Sequence, residues 1–248
     1  MQYVSGTIEK REDLKPEGII FDMDDTLVAT AELWKEAEAH LLKILGSKWS
    51  VELAMQYKGM NTLDVAATIH RLLQPTVSVE YCQQVLREAL FCAFEAKPPG
   101  PMNGAVECVR RLAGIAPLAL ASGSPLPLIE SVVARLDIRL EFQSLISSES
   151  VARGKPFPDV FLASAVALGV KPSGCLVFED SLVGVRAAKT AGMRCIAIPS
   201  SHSDEIAKIA NRTYRSLTEV DAQSIEIGFE PNSPKLYPQS SYMNRAAS

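Results

Sequence analysis

Short apolar runs recur along the chain, and each is followed by residues spaced as on a helix. The runs are Gly18–Met23, Ala116–Ala121, Ser144–Ile146, Cys175–Phe178 and Arg194–Ile198. Polar or turn residues bound each one. Continuous rather than alternating apolar runs predict strands of a parallel sheet, buried on both faces. Between them the spacing predicts helices over Asn103–Ala113, Leu126–Leu136, Pro158–Leu168 and Leu182–Ala191. Strand and helix in alternation predict a Rossmann-like, doubly wound α/β domain of five or more strands.

One stretch breaks the alternation. From Thr30 to Lys97 the sequence offers no convincing strand. Ala31–Leu45 and Val79–Ala96 have helical spacing, and Asn61–Leu73 forms a third segment with Asn61 suited to cap it. So much helix after one strand exceeds an ordinary crossover, whose connections are short. The expectation is an α-helical cap domain over residues 30–99, inserted into a core of residues 1–29 and 100–227. Pro98-Pro99-Gly100-Pro101 supplies a stiff return. Residues 228–248, rich in Pro, Ser and Asn without apolar periodicity, are expected to form a poorly ordered tail.

Composition narrows the class. Hydrophobic residues make up 47% of the 248 and charged residues 22%, ordinary for a globular protein. The net charge is −4 and no Lys/Arg run occurs, so no nucleic-acid footprint is expected. The five cysteines are scattered without a CxxC pair and read as small buried hydrophobes, which suits a reducing compartment. No apolar run reaches membrane-spanning length, and the first residues carry no secretory h-region. A cytoplasmic protein without membrane contact is expected. The sequence is silent on oligomeric state.

Four polar clusters end or follow the predicted strands, where open α/β sheets bind ligands. Asp22, Asp24 and Asp25 follow the first. Carboxylates this close repel and call for a cation or a shared proton, although an acidic turn is the ordinary alternative. Ser122-Gly123-Ser124 joins a strand to a helix and could bind phosphate oxygens or merely cap that helix. Lys155, held between Gly154 and Pro156, could serve phosphate as a point charge or lie in solvent. Glu179 and Asp180 could complete a metal site or cap the next helix.

Taken in order, D-x-D-x-T, strand-Ser, G-K-P and E-D-S-x-x-G-x-x-A-A-x-x-A-G-M are far more specific than any one of them. Over residues 16 to 220 the chain resembles the haloacid dehalogenase superfamily. It is similar to the helical-cap branch that includes sugar-phosphate phosphatases and β-phosphoglucomutase. The resemblance implies a Mg²⁺-dependent phosphatase acting on a small phosphorylated metabolite. Asp22 would be the nucleophile that forms an aspartyl-phosphate, and Asp24 the general acid and base. Ser122, Gly123 and Lys155 would hold the phosphoryl group. Asp22, Asp24, Asp180 and Glu179 would surround the metal, with Glu179 either a ligand or a support for one.

Some positions depart from the pattern. Asp25 stands where many relatives have Gly. Val28-Ala29-Thr30-Ala31-Glu32 replaces a frequent D-S-E. Trp34 stands where the mutase has a cap His, and Asn61 where it has a cap Arg. Hydrolysis therefore leads over a mutase, and the presence of every expected catalytic side chain puts it ahead of a non-catalytic binding protein on the same fold. Trp34, Lys58 and Asn61 are the expected substrate contacts from the cap. Trp34 could equally pack between cap helices, and Lys58 could be a solvated helix end.

Overall fold

The computed structural model describes residues 15–221 and Ile225. The expected tail over 228–248 and the first residues lie outside the described part.

Six strands form one sheet: β1 (Gly18–Phe21), β2 (Leu118–Ser122), β3 (Phe142–Ser147), β4 (Cys175–Glu179), β5 (Arg194–Ala197) and β6 (Arg212–Thr213). Their order is β3-β2-β1-β4-β5-β6, and every neighbouring pair is parallel. The chain leaves β1 towards β2 on one side and later places β4 on the other. This reversal of strand order opens a crevice beside the carboxyl ends of β1 and β4.

Strand residues divide by alternation between two cores. Ile19, Phe21, Leu118, Leu120, Leu176 and Phe178 enter one, while Ile20, Ala119, Ala121, Cys175 and Val177 enter the other. Phe21 stacks on Phe178 with ring centroids 4.8 Å apart. β1, β2 and β4 are buried throughout, as continuous apolar runs require.

After β1 the chain forms four helices before it returns to the core: α1 (Ala31–Ile44), α2 (Val51–Ala54), α3 (Thr62–Leu73) and α4 (Val79–Ala96). α4 packs along α1 and α3, and Leu41, Ile69, Leu86 and Leu90 give the insert an apolar interior continuous with the first core. The outgoing and returning chains are laced together. Ala29 N–H donates to Gly100 O at 3.0 Å, and Met102 N–H to Leu27 O at 2.9 Å. The remaining helices are α5 (Ala105–Ala113), α6 (Leu126–Arg135), α7 (Asp159–Leu168), α8 (Leu182–Thr190) and α9 (Asp204–Ile209).

Three elements go beyond the sequence expectations: α2, α9 and β6. All are short, and a few residues carry too little periodicity to read. Several boundaries move by one or two residues. The most informative shifts are at Ser122 and Glu179, which end β2 and β4 as buried strand residues instead of following them. Among the described residues, no helix is long and apolar enough to cross a membrane.

Candidate active site

The first strand delivers its acids into a tight loop. Asp22 N–H donates to Phe178 O at 2.9 Å, which fixes the end of β1 against β4. Asp25 turns the chain with φ 56°, the left-handed region that favours glycine and that Asp tolerates better than most residues. Its carboxylate Oδ1 accepts from the Thr30 and Ala31 N–H groups at 3.0 and 2.9 Å, capping α1. The departure from glycine thus gains a capping role. With its backbone N–H tied to Asp25, Thr30 turns its hydroxyl to Asp24.

Asp24 is gripped by four donors. Thr30 Oγ1 and Trp34 Nε1 donate to Oδ1 at 2.9 and 3.0 Å. Ser122 Oγ donates to Oδ2 at 2.6 Å, and Ser124 Oγ reaches Oδ2 at 3.0 Å. Ser122 Oγ also accepts from Ser124 N–H at 2.9 Å, so in this arrangement its hydroxyl serves Asp24.

Beneath Asp22 lies Lys155, fully enclosed. Its Nζ is 2.6 Å from Asp22 Oδ1 and 2.6 Å from Glu179 Oε1, and it sits 5.1 Å from the Phe161 ring centre. Burial works against its positive charge, but the two carboxylates outweigh this and hold its pKa above the ordinary lysine range. Glu179 Oε2 accepts from the N–H and the hydroxyl of Ser181 at 2.8 and 2.9 Å. Every lobe of that carboxylate is therefore placed by the protein.

Asp180 completes the group. Oxygens of Asp22, Glu179 and Asp180 lie within 4.8 Å of one another. Asp180 Oδ2 is buried and, among the described residues, meets no well-aligned hydrogen-bond donor; Lys58 Nζ faces it at 3.0 Å. Burial lifts the Asp180 carboxyl to about 7, with Glu179 adding to the rise and Lys58 opposing it. Burial likewise raises Asp22 well above the ordinary range; Lys155 opposes this, and Glu179, Asp24 and Asp180 add to it. Three converging buried carboxylates, one with an oxygen faced by the half-exposed Lys58 instead of a buried donor, are a hard donor set that fits a divalent cation.

Above these groups lies a cleft of about 420 Å³ between sheet and insert. Of the sequence candidates, Asp22, Asp24, Trp34, Lys58, Gly123 and Asp180 line it; Lys155, Glu179 and Ser122 lie beneath. Asn61 does not line the cleft. Its Oδ1 accepts from Asp64 N–H and its Nδ2 donates to Asp64 Oδ2, both at 2.9 Å, so it caps α3 and rests against Gly154. A capping signal was legible there, and it accounts for the residue. Thr30, Ser124, Ser181 and Glu38 do not figure among the sequence candidates. Ser124 and Ser181 stand inside quoted motifs, and Glu38 falls one helical turn after Trp34, so spacing could have pointed to them.

The insert sits directly on the core. Backbone of Met60 presses on Gly123, where an added Cβ would lie 2.7 Å from Met60 O. Gly59, at φ 82°, meets Ser181 in the same way. On the far side the Thr62 hydroxyl bonds Glu149, which also pairs with Arg87 at 3.2 Å.

An acid-lined cleft at the switch point of a parallel sheet, roofed by a helical insert, defines an α/β enzyme. Residues 16–192 match the haloacid dehalogenase-like hydrolase family. Hexitol phosphatase B of Escherichia coli O157:H7 is 33% identical over 217 residues, covering 83% of this chain and 95% of the relative. A fructose-1-phosphate phosphatase of Escherichia coli (strain K12) is 30% identical over 185 residues, 73% of this chain and 95% of that protein. Among solved structures, CbbY from Rhodobacter sphaeroides in complex with phosphate is 26% identical with a TM-score of 0.71, covering 82% of this chain and 96% of that one. β-Phosphoglucomutase from Clostridium difficile, 20% identical with a TM-score of 0.76, shares the fold over 86% of this chain and 97% of its own. The chain belongs to the haloacid dehalogenase-like hydrolase family. It is a hydrolase built on that family's parallel sheet.

Proposed function

We propose that this hydrolase is a phosphatase of small, polyhydroxylated phosphomonoesters such as sugar or hexitol phosphates, with residues 30–99 as its cap. One observation carries the reading: Asp22 and Asp24 face the same cleft, while Lys155 fixes Asp22 from below at 2.6 Å. The phosphatases among its relatives support the substrate class.

In this reading Asp22 attacks phosphorus and the ester oxygen departs, leaving an aspartyl-phosphate on Asp22. Asp24 gives its proton to the departing oxygen, then takes one from the water that cleaves the intermediate. Two displacements return the carboxylate of Asp22 and release inorganic phosphate. Ser122, Ser124, Thr30 and Trp34 aim Asp24, and a shift of any one of them moves the proton-transferring oxygen. Gly123 lets the insert backbone approach closely, and its N–H would serve a phosphoryl oxygen in the cleft. Asp22, Glu179 and Asp180 would hold Mg²⁺, with Asp24 beside them. The ion would supply charge neutralisation for the carboxylates and the phosphoryl oxygens. Lys155 offsets charge from beneath and keeps Asp22 and Glu179 together.

Purified protein assayed for phosphate release from sorbitol 6-phosphate and fructose 1-phosphate tests the reading. Turnover that needs Mg²⁺ supports it. Absence of turnover on a broad panel of phosphomonoesters with Mg²⁺ present refutes it.

A further inference from the structure

Helix α1 brings a second polar group to the cleft. Trp34 and Glu38 stand four residues apart on one face of the helix, about 6 Å along its axis. Trp34 is tied to Asp24, so Glu38 lies one turn farther from the reacting groups. Glu38 lines the same cleft as Asp22 and Asp24. It is only 7% exposed. Its Oε2 accepts from Trp49 Nε1 at 2.7 Å and from the Tyr57 hydroxyl at 3.4 Å. Its Oε1 takes no hydrogen bond from the described residues and keeps access to the cleft that Glu38 lines. Among the described residues, no lysine, arginine or histidine pairs with Glu38; Lys35, nearby at the cleft wall, pairs with Glu32.

A buried carboxylate without a cation is costly, and insert packing alone does not require an acid here. Trp34, Trp49 and Tyr57 surround it with flat apolar surface that also offers N–H and O–H groups. Aromatic walls suit the C–H faces of a carbohydrate, and a carboxylate oxygen accepts from its hydroxyls. The same charge repels a phosphoryl group, which sets the direction of the ligand: phosphate at Asp22, hydroxyls at Glu38. Standing one turn beyond the Trp34 that holds Asp24, Glu38 suits an ester whose hydroxyls extend past the reacting groups.

We propose that Glu38, framed by Trp49 and Tyr57, is a specificity-determining residue that accepts hydrogen bonds from the distal hydroxyls of a sugar-length polyol phosphate. The proposal rests on the phosphatase reading and narrows its substrate.

The test compares sorbitol 6-phosphate with glycerol 3-phosphate in wild type and Glu38→Gln. The expected result is that the preference for the longer ester, as a ratio of kcat/KM, falls about tenfold or more, the value of one hydrogen bond to a charged group. A second arm needs no turnover. Calorimetry on Asp22→Asn protein, with and without Glu38→Gln, should show the affinity ratio of the two ligands falling to a similar extent. If wild type hydrolyses neither these two esters nor any other of a broad panel, the phosphatase reading fails and the calorimetric arm still decides the role of Glu38. Should Glu38→Gln not fold, Trp49→Phe keeps a ring and removes the N–H to Glu38, and its ratio should fall several-fold. A variant that weakens both ligands equally, or neither, assigns Glu38 to packing and overturns the proposal.

Discussion

The indole N–H of Trp34 donates to Asp24 Oδ1 across 3.0 Å, so the first helix of the insert holds an acid of the core. The two readings open for Trp34 from the sequence, substrate contact or packing, meet in this bond. It lines the cleft, packs against the core cluster and aims Asp24. Trp34→Phe keeps the ring and deletes the N–H. We expect kcat on a good substrate to fall about tenfold, the usual worth of a hydrogen bond to a charged acceptor, with the fold intact by circular dichroism. Unchanged kcat would mean that the other three donors hold Asp24 by themselves.

Gly184 leaves no space beside Glu179. A Cβ built there would lie 1.6 Å from Glu179 Oε1, and that carboxylate is already fixed by Lys155 and Ser181. Gly184→Ala is expected to cost about 1–3 kcal/mol by overpacking, read from urea unfolding, and to weaken Mg²⁺ binding by displacing Glu179. A variant with wild-type stability and metal affinity would show that the strand end yields without loss.

Lys155 neutralises two enclosed acids at once. Lys155→Met leaves Asp22 and Glu179 buried and facing each other, and should destabilise the protein by about 3–5 kcal/mol besides abolishing turnover. Denaturant unfolding at pH 7.5 measures it. The loss should shrink in acid, where the raised Asp22 carboxyl can protonate. A stable variant that is merely inactive would confine Lys155 to catalysis.

Glu38 carries a pH signature. Burial raises its carboxyl from 4.5 to about 7, against the opposing hydrogen bonds from Trp49 and Tyr57. The folded state therefore holds its proton more tightly than the unfolded chain. That stabilisation is complete below pH 4.5 and is lost as pH rises through 7, a change of about 3 kcal/mol. Glu38→Gln does not titrate, so its unfolding free energy should gain on wild type between pH 5 and pH 8. A constant difference across that range would contradict the buried, ionising acid.

The central strands β1, β2 and β4 were legible because burial on both faces leaves them apolar up to their last residue, and the order of the four polar motifs identified which strand ends converge. Val79–Ala96 could be read to the residue, since its helix is long and strongly periodic. Sequence spacing could not show that Ser122 points its hydroxyl at Asp24, or that Asn61 turns away to cap α3. Both choices depend on partners from elsewhere in the chain. Likewise Glu38 gains meaning only when Trp49 and Tyr57 fold back onto α1, which no local pattern announces.

The role of Asp22 as nucleophile of a metal-assisted phosphatase is decided by phosphate release from sorbitol 6-phosphate by wild type and Asp22→Asn, each with Mg²⁺ and after chelation. Wild type should turn over with Mg²⁺ alone, and Asp22→Asn should have a kcat lower by about 10³-fold or more, as expected when a covalent nucleophile is removed. Asp22→Asn turning over at the wild-type rate, or chelated wild type retaining full activity, would contradict it.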